Sequence, residues 1–212
     1  TAQGVRFSSK SDSEILLRLY QRQGLEATLP LLRGEFAFAL FDRAEDCLYL
    51  VRDRFGIKPQ YWAMTPEGLV FGSELKVLFA HPAVERRFTS EGLFHQLMQT
   101  MVPGTTAFAG VHQVKPGHVL KVQRVNGHLE VSESTYWDVD FPRKDERDPK
   151  RTEADHIAAV RAALLEAVEL RMVADVPVGC YLSGGIDSCS ILGLASAVSQ
   201  APVKAFTIGF DD

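Results

Sequence analysis

Residues 175–210 contain the pattern that most restricts what this chain can fold into. The apolar run "DVPVGCYL" leads into the loop "SGGIDS", which is followed by the small-residue run "CSILGLASAVS" and by "VKAFTIGF". The first and last runs have the length and composition of buried strands, and the middle run is typical of a helix. A strand, a helix and a strand in so short a stretch predict a βαβ unit, and therefore a parallel sheet.

The loop of this unit lies where open α/β sheets bind ligands, between the carboxyl end of a strand and the amino end of a helix. Gly184 and Gly185 allow the backbone to approach an anion closely, and Ser183 and Ser188 add hydroxyl donors. Asp187 would repel a bare phosphate but suits one that is bridged by a divalent cation. A Walker A loop is excluded because no lysine is present, and the spacing does not match a nucleophile elbow. Two interpretations remain: a site for pyrophosphate with Mg²⁺, or a glycine-rich turn in which Asp187 caps the helix.

The first two-thirds of the chain has a different pattern, of short strands joined by tight turns. A helix is predicted over "SDSEILLRLYQRQG", ending at Gly24, and short helices over "ELKVLF" and "SEGLFHQLM". "EFAFALFD" is apolar at both alternating sets of positions, so we expect a strand that is buried on both faces. Hairpins are predicted in residues 61–73 and, around the turn Asn126-Gly127, in "GHVLKVQRVNGHLEV". This part of the chain is predicted to be an α+β domain with antiparallel strands.

A run of mixed charge, "FPRKDERDPKR", separates these two patterns. We interpret residues 141–152 as a linker between a domain over 1–140 and a second domain over 153–212. Thr152 and Asp155 have the spacing of a capping box at the start of the next helix. The buried stripe of that helix is predicted to consist of Ile157, Val160, Leu164 and Val168.

Composition limits the partners and the compartment. With 23 Lys and Arg against 27 Asp and Glu, the formal charge is −4, which gives no electrostatic reason to expect a nucleic acid or an acidic membrane as a partner. The sequence contains no apolar run of membrane-spanning length. Cys47, Cys180 and Cys189 are odd in number and lack zinc spacing, which indicates reduced thiols in the cytoplasm. We expect each of them to be a small core residue.

The loop and its surroundings resemble a known family. "DVPVGCYLSGGIDSCSI" resembles the PP-loop of the N-type ATP pyrophosphatases, in the form found in glutamine-dependent asparagine synthetases. "FTIGFDD" resembles the following strand of that family, which packs against adenine. Earlier segments resemble, in order, the class II glutamine amidotransferase domain: "SDSEILLRLY", "LRGEFAFALFD", "VRDRFGIKPQYW", "FGSELKVLFAHP" and "GTTAFAGVHQVKPGHVL". The resemblance implies an incomplete, Ntn-like glutaminase domain followed by the start of an α/β PP-loop domain, as an internal fragment of a longer enzyme.

What the resemblance implies for function is a two-site ligase. One domain releases ammonia from glutamine, and the other uses ATP and Mg²⁺ to convert the β-carboxylate of aspartate into β-aspartyl-AMP. Ammonia then attacks this intermediate, giving asparagine, glutamate, AMP and pyrophosphate. The implied partners are the small molecules glutamine, aspartate and ATP, the implied location is the cytoplasm, and a homodimer is one possible assembly.

The resemblance also implies roles for individual residues. The positions that match ATP or pyrophosphate contacts are Leu182, Ser183, Gly184, Gly185, Asp187, Ser188 and Ile208, with Asp187 also as the metal ligand. Asp12 matches the aspartate that holds the α-ammonium of glutamine, and it is also a candidate helix cap. The charged residues of "RDRFGIKP" are interpreted as a structural turn with internal ion pairs. No catalytic residue is assigned, because the family's amino-terminal cysteine nucleophile has no counterpart here and Thr1 matches sequence from the middle of the domain.

Two alternatives stay open. Another amide-forming synthetase, such as a β-lactam-forming enzyme, could use the same two halves with a different acceptor. The chain could also serve only as a nucleotide-binding module, and alone it is expected to be inactive.

Overall fold

The computed structural model describes residues 7–9, 11–100, 102–146, 148 and 150–209. The chain divides into two compact units, Thr1–Asp140 and Phe141–Asp212.

The first unit combines antiparallel sheets with a few helices, as the sequence predicts. Its helices are α1 (Asp12–Thr28), α2 (Leu75–Leu78) and α3 (Ser90–Leu97), and a 3₁₀ turn at Leu29–Leu31 follows α1. Its strands are β1 (Ala37–Asp42), β2 (Cys47–Arg52), β3 (Tyr61–Thr65), β4 (Gly68–Gly72), β5 (Val111–Gln113), β6 (His118–Val125) and β7 (His128–Thr135). They form one sheet in the order β1-β2-β6-β7 and a second in the order β4-β3-β5, with antiparallel pairing.

These elements stack in layers because alternate residues of each strand point to opposite faces. On one face of the four-stranded sheet, Val51 and Val119 pack against Leu25 of α1. On the opposite face, Leu50 and Leu120 pack with Trp62 and Leu69 of the second sheet. The same cluster also contains Val114, Val122, Leu48, Leu129 and Val131. The far face of the second sheet packs on Leu78 of α2. The order is therefore helix, sheet, sheet, helix.

The prediction that "EFAFALFD" is buried on both faces is wrong. Phe38 and Leu40 of β1 face the layer of α1, but Ala39 and Phe41 are exposed, Phe41 by 56%. Ala39 and Phe41 pair with Leu50 and Leu48, whose face is covered by the second sheet. Among the described residues, that second sheet does not extend over β1, which is an edge strand. The two-sided burial belongs instead to the neighbouring strand β2.

The turn signals locate the chain reversals well. Asn126 and Gly127 both have positive φ, 51° and 84°, between β6 and β7, as a two-residue hairpin turn requires. The hairpin of β3 and β4 also forms as predicted. At Gly24 the helical backbone is interrupted, with φ of 78° and ψ of 175°, but a second helical segment then runs on to Thr28.

The second unit contains the predicted βαβ arrangement. A 3₁₀ turn at Lys144–Glu146 precedes α4 (Glu153–Arg171), β8 (Gly179–Tyr181), α5 (Ile186–Val198) and β9 (Lys204–Phe206). Strands β8 and β9 pair in parallel. Helix α4 begins with the predicted capping box, in which the side chains of Thr152 and Asp155 each bond to the other residue's backbone. These bonds lower the pKa of the Asp155 carboxyl.

The prediction of a buried stripe on α4 is largely wrong. Val168 is 7% exposed, but Ile157, Val160 and Leu164 are 62%, 59% and 42% exposed. Apolar periodicity identifies the face that a helix can bury, whereas burial itself requires a covering element. Within the described part of this unit, α5 is the helix that packs against α4.

Candidate functional site

The loop between β8 and α5 is shorter than the sequence indicates. Helix α5 begins at Ile186, so Asp187 and Ser188 lie in its first turn rather than in the loop. Gly184 has φ of 82°, a left-handed conformation that favours glycine. A Cβ atom placed there would meet nothing within 4 Å. The requirement for glycine at this position therefore comes from the backbone angle.

Ser183 of the loop and Ser188 of the first turn of α5 interact with each other. The Ser188 hydroxyl donates to the Gly185 carbonyl (3.0 Å) and accepts from the Ser183 N–H (3.3 Å). The two hydroxyl oxygens are 3.1 Å apart, and the Gly185 N–H lies 3.4 Å from the Ser183 hydroxyl. These contacts fold the loop back onto the first turn of α5, so the loop is ordered by its own side chains.

Asp187 is not the cap of the helix. The N-cap of α5 is Gly185, and no side chain bonds to the free amides of the first turn. Among the hydrogen bonds of the described residues, none uses the N–H groups of Gly184, Ile186 and Asp187. These donors, together with the positive end of the helix dipole, favour an anion at this end of α5. The interpretation of this segment as a turn capped by Asp187 is therefore wrong, while the anion-site interpretation stays a prediction.

A magnesium ion would find one carboxylate at this loop. Asp187 is exposed, and the described residues contain no cluster of three or more His, Cys, Asp or Glu side chains that could hold a metal. Mg²⁺ in nucleotide sites is commonly bound by one or two carboxylates, water and the substrate's own phosphates. The single carboxylate therefore fits a metal that enters with the nucleotide and does not fit an all-protein metal site.

The start of the loop is tied to β9. The Leu182 N–H donates to the Phe206 carbonyl at 2.8 Å, and the Thr207 hydroxyl donates to the Leu182 carbonyl. Ile208, the next residue, is 82% exposed. The structure thus brings the loop and Ile208 to the same end of the β8–β9 pair, as their predicted common ligand requires.

Asp12 lies in the first unit, at the edge of a cavity of about 690 Å³. Its lining includes the charged residues Asp12, Arg33, Glu35 and Lys58, beside apolar residues of α1 and β1. Lys58 is 3.4 Å from the Glu35 carboxylate. A cavity with both charge signs and an apolar wall suits a small zwitterion. The cap predicted at Asp12 is wrong, since the N-cap of α1 is Ser11, whose hydroxyl accepts from the Ser13 N–H.

Glu14 holds the segment that precedes Asp12. Its carboxylate accepts from the backbone N–H groups of Ser8 and Ser9, at 2.9 and 2.7 Å, from both serine hydroxyls, and from Arg18 at 3.1 Å. The bonds from Ser8 and Ser9, the one from the Ser8 backbone first, lower the pKa of Glu14 to about 2. Sequence reasoning missed this role, although a glutamate three residues after Ser11 has the spacing of a capping-box acid.

The turn "RDRFGIKP" is structural, but not through ion pairs. Asp53 is 1% exposed, and its carboxylate accepts from the N–H groups of Phe55 (3.2 Å), Ile57 (3.0 Å) and Lys58 (2.9 Å). Arg52 donates to the carbonyls of Lys58, Gly56 and Val114. Burial lowers the pKa of Arg52, against the opposing effect of Asp53. Within residues 52–58, all of them described, no ion pair forms, so that part of the prediction is wrong.

Comparison with known proteins identifies the two units. The family model described as a glutamine amidotransferase domain matches residues 1–137, and the model described as asparagine synthase matches residues 159–212. The chain belongs to the glutamine amidotransferase family. The amidotransferase unit is therefore followed by a segment from a synthetase domain, in the order that the motifs predict.

Individual relatives of this amidotransferase agree with the two family matches. The asparagine synthetases [glutamine-hydrolyzing] 3 and 1 of Bacillus subtilis are 32% and 36% identical over 100% and 99% of this chain, and over 34% and 32% of their own lengths. These two relatives confirm the resemblance to the glutamine-dependent asparagine synthetases. The "Amidase chry2" of Gibberella zeae is 38% identical over 100% of this chain and 32% of its own. The chain spans about a third of the length of these relatives.

One solved structure also aligns with this chain, at a lower sequence identity than the relatives above. The glutamine phosphoribosylpyrophosphate amidotransferase of B. subtilis, complexed with ADP and GMP, aligns with a TM-score of 0.45 at 16% identity, covering 97% of this chain and 41% of that one. An alignment this distant adds nothing to the fold described above.

The structure also bears on the membrane-spanning length of the described helices and on the burial of the cysteines. No described helix combines the length and the apolarity needed to cross a membrane. All three cysteines are free: Cys47 is buried as expected, Cys180 is partly buried, and Cys189 is exposed on α5 and is not a core residue.

Proposed function

We propose that this protein forms amides from glutamine-derived ammonia and an ATP-activated carboxylate, with aspartate as the acceptor. The amidotransferase unit releases ammonia and glutamate, and the second unit contributes to the formation of β-aspartyl-AMP and pyrophosphate. Attack of ammonia on the acyl-adenylate gives asparagine and AMP. The observation that carries the proposal is the loop with unpartnered amides at the amino end of α5, in a chain whose other unit is an amidotransferase.

The chemistry of the loop follows from its contacts. Adenylylation of a carboxylate expels pyrophosphate, and the free amides of Gly184, Ile186 and Asp187 would stabilise the negative charge that develops on it. Because Ser183 of the loop bonds to Ser188 of the first turn of α5, these donors are arranged before the substrate binds. When bound, Mg²⁺ supplies neutralisation of phosphate charge, and the Asp187 carboxylate would hold it.

The first unit supports the glutamine part of the proposal. The Asp12 carboxylate, beside a cavity with basic and acidic groups, suits the α-ammonium of an amino acid. Glu14 fixes the residues just before Asp12, so the carboxylate projects from an ordered helix start. We therefore assign Asp12 to glutamine binding.

We keep a second candidate because a relative at 38% identity, as similar to this chain as the asparagine synthetases, has a different name. In this candidate the same two units form an amide on a carboxylate other than that of aspartate. Supplying aspartate as the only carboxylate in an ATP–pyrophosphate exchange assay distinguishes the two, because only the first candidate then gives exchange.

The test is Asp187→Asn in the full-length protein. We expect aspartate-dependent exchange between ATP and pyrophosphate to fall roughly a hundredfold, the effect of losing about 3 kcal/mol of charge stabilisation. Glutamine hydrolysis should be unchanged because Asp12 and its cavity lie in the other unit. Folding should change little, since Asp187 is exposed and does not cap α5, and its favourable place near the helix dipole contributes only about 0.3–1 kcal/mol.

The matched control is Asp175→Asn, which removes another exposed acid of the same unit, ahead of β8. It should leave exchange unchanged. Near-normal exchange by Asp187→Asn at saturating Mg²⁺ would remove the metal role of Asp187. A wild-type enzyme with no exchange on any carboxylate would overturn the proposed function.

A further inference from the structure

The first unit contains a second cavity, which shares no described lining residue with the cavity beside Asp12. Its volume is about 410 Å³, and its lining comes from β3, β5, α3 and the turn after β2, among other segments. Small-molecule sites in proteins usually have volumes of roughly 300–1,000 Å³. The cavity is therefore large enough for a small ligand, and the proposed function assigns nothing to it.

One wall of this second cavity is aromatic and is held in place by the backbone. Phe88 and Phe108 both line the cavity and are joined by an antiparallel bridge. Their rings are stacked, with centroids 4.7 Å apart, and Phe88 is still 55% exposed. Helix α3 approaches this wall closely, since a Cβ atom at Gly92 would lie 2.8 Å from the Ala107 Cα. The wall thus offers a fixed, flat apolar surface to an aromatic ring.

A buried cation lines the same cavity. Arg52 is 6% exposed, and its guanidinium donates to the carbonyls of Gly56, Lys58 and Val114 at 2.5–2.9 Å. A guanidinium has five N–H groups, so two of them are not used by the hydrogen bonds of the described residues. The adjacent Asp53 carboxylate accepts from three backbone N–H groups and forms no ion pair with Arg52. A buried charge with only neutral hydrogen-bond partners favours the binding of an anion.

Tyr61 supplies a second donor to this cavity. Burial lowers the pKa of Arg52, whereas Asp53 and Tyr61 raise it, which indicates that Tyr61 lies close to the guanidinium. The hydroxyls of Tyr20 and Tyr136 each donate a hydrogen bond, but among the described residues no such bond uses the Tyr61 hydroxyl. A guanidinium and a phenolic hydroxyl together suit the two oxygens of a carboxylate.

We propose that this second cavity binds a small carboxylate with an aromatic body. The carboxylate accepts from Arg52 and Tyr61, while the ring lies against Phe88 and Phe108. An inorganic anion would leave the aromatic wall in water, and an uncharged apolar ligand would leave the two donors unpaired. The site is independent of the amide-forming reaction, so it remains if that reaction proves to be wrong.

The test uses calorimetry on the full-length protein with two probes, phenylacetate and phenylacetamide. The probes have nearly the same shape, but only phenylacetate is charged. We expect the wild type to bind phenylacetate at least tenfold more tightly, because hydrogen bonds between charged groups are the stronger ones. Tyr61→Phe removes one hydroxyl and retains the ring. It should weaken the binding of phenylacetate about tenfold and that of phenylacetamide by less.

A second pair of variants tests the aromatic wall. Phe88→Ala should weaken the binding of both probes about tenfold, because the ring contact is common to them. The matched control is Phe94→Ala, which removes a similarly exposed ring on α3 that does not line the cavity, and it should bind both probes like the wild type. Both side chains are more than half exposed, at 55% and 59%, so the variants should fold.

Four results would overturn the proposal. They are the absence of phenylacetate binding to the wild type, equal affinity of the wild type for the two probes, full phenylacetate affinity in Tyr61→Phe, and equal affinities in Phe88→Ala and Phe94→Ala.

Discussion

At the scale of single residues, the most informative group is the carboxylate of Glu14. It collects two backbone N–H groups, two hydroxyls and Arg18 at the start of α1. Because the hydrogen bonds from Ser8, the one from its backbone first, and from Ser9 favour the charged form, the pKa of Glu14 in the folded protein is about 2, below the ordinary value of 4.5. A lowered pKa stabilises the fold above the ordinary value, and this contribution is lost as pH falls from about 4.5 towards 2.

We therefore predict that Glu14→Gln flattens the pH dependence of stability in that window. The wild type should lose stability between pH 4.5 and about 2 more steeply than the variant, measured by urea unfolding at a series of pH values. Glutamine should also bind more weakly to the variant at pH 7, because Asp12 projects from the helix start that Glu14 orders. Glu26→Gln, an exposed change on the same helix, is the control and should retain the slope of the wild type. Parallel slopes for wild type and Glu14→Gln would contradict the prediction.

At the scale of elements, the turn after β2 depends on a buried acid. Replacing Asp53 by alanine leaves the N–H groups of Phe55, Ile57 and Lys58 without their acceptor. An unsatisfied buried group costs about 1–3 kcal/mol, so we expect Asp53→Ala to lower the free energy of unfolding by roughly 3 kcal/mol or more. Thermal and urea unfolding measure this loss. The control is Glu130→Ala, at an exposed position of β7, which should change the free energy of unfolding by no more than about 0.5 kcal/mol. An equally small change in Asp53→Ala would show that the turn does not depend on the Asp53 carboxylate.

Among the secondary-structure elements, the sequence predicted the turns, the cap and the βαβ unit but not which faces are buried. The Asn126-Gly127 turn, the capping box of Thr152 and the βαβ unit follow from local residue preferences, and they are present. The burial of β1 and of α4 could not be predicted, because it depends on which element covers each face. The bonds of Glu14 and Thr207 were missed for a related reason: hydrophobic periodicity carries no information on polar side chains that bond to a distant or irregular backbone.

At the scale of the whole chain, the assignment of residues 141–152 as a linker can be tested by proteolysis. All described residues of this run are exposed, including Phe141 at 81%. We predict that trypsin cleaves first at Arg143, Lys144, Lys150 or Arg151, giving a larger amino-terminal fragment. Mass spectrometry of the early fragments identifies the sites. Early cleavage at Lys121 or Arg124, within β6, would count against the boundary.

The order β1-β2-β6-β7 also has a consequence for how the first unit acquires its structure. The β1–β2, β3–β4 and β6–β7 hairpins join neighbours in the chain, so each closes only a short loop. In contrast, Leu50 meets Leu120 only after the whole intervening segment, with β3, β4 and β5, has been brought back. The entropy of closing that long loop is lost before its contacts form. The hairpins are therefore the early products of folding, and the docking of β6 onto β2 is the slow, committing event that joins them into one sheet.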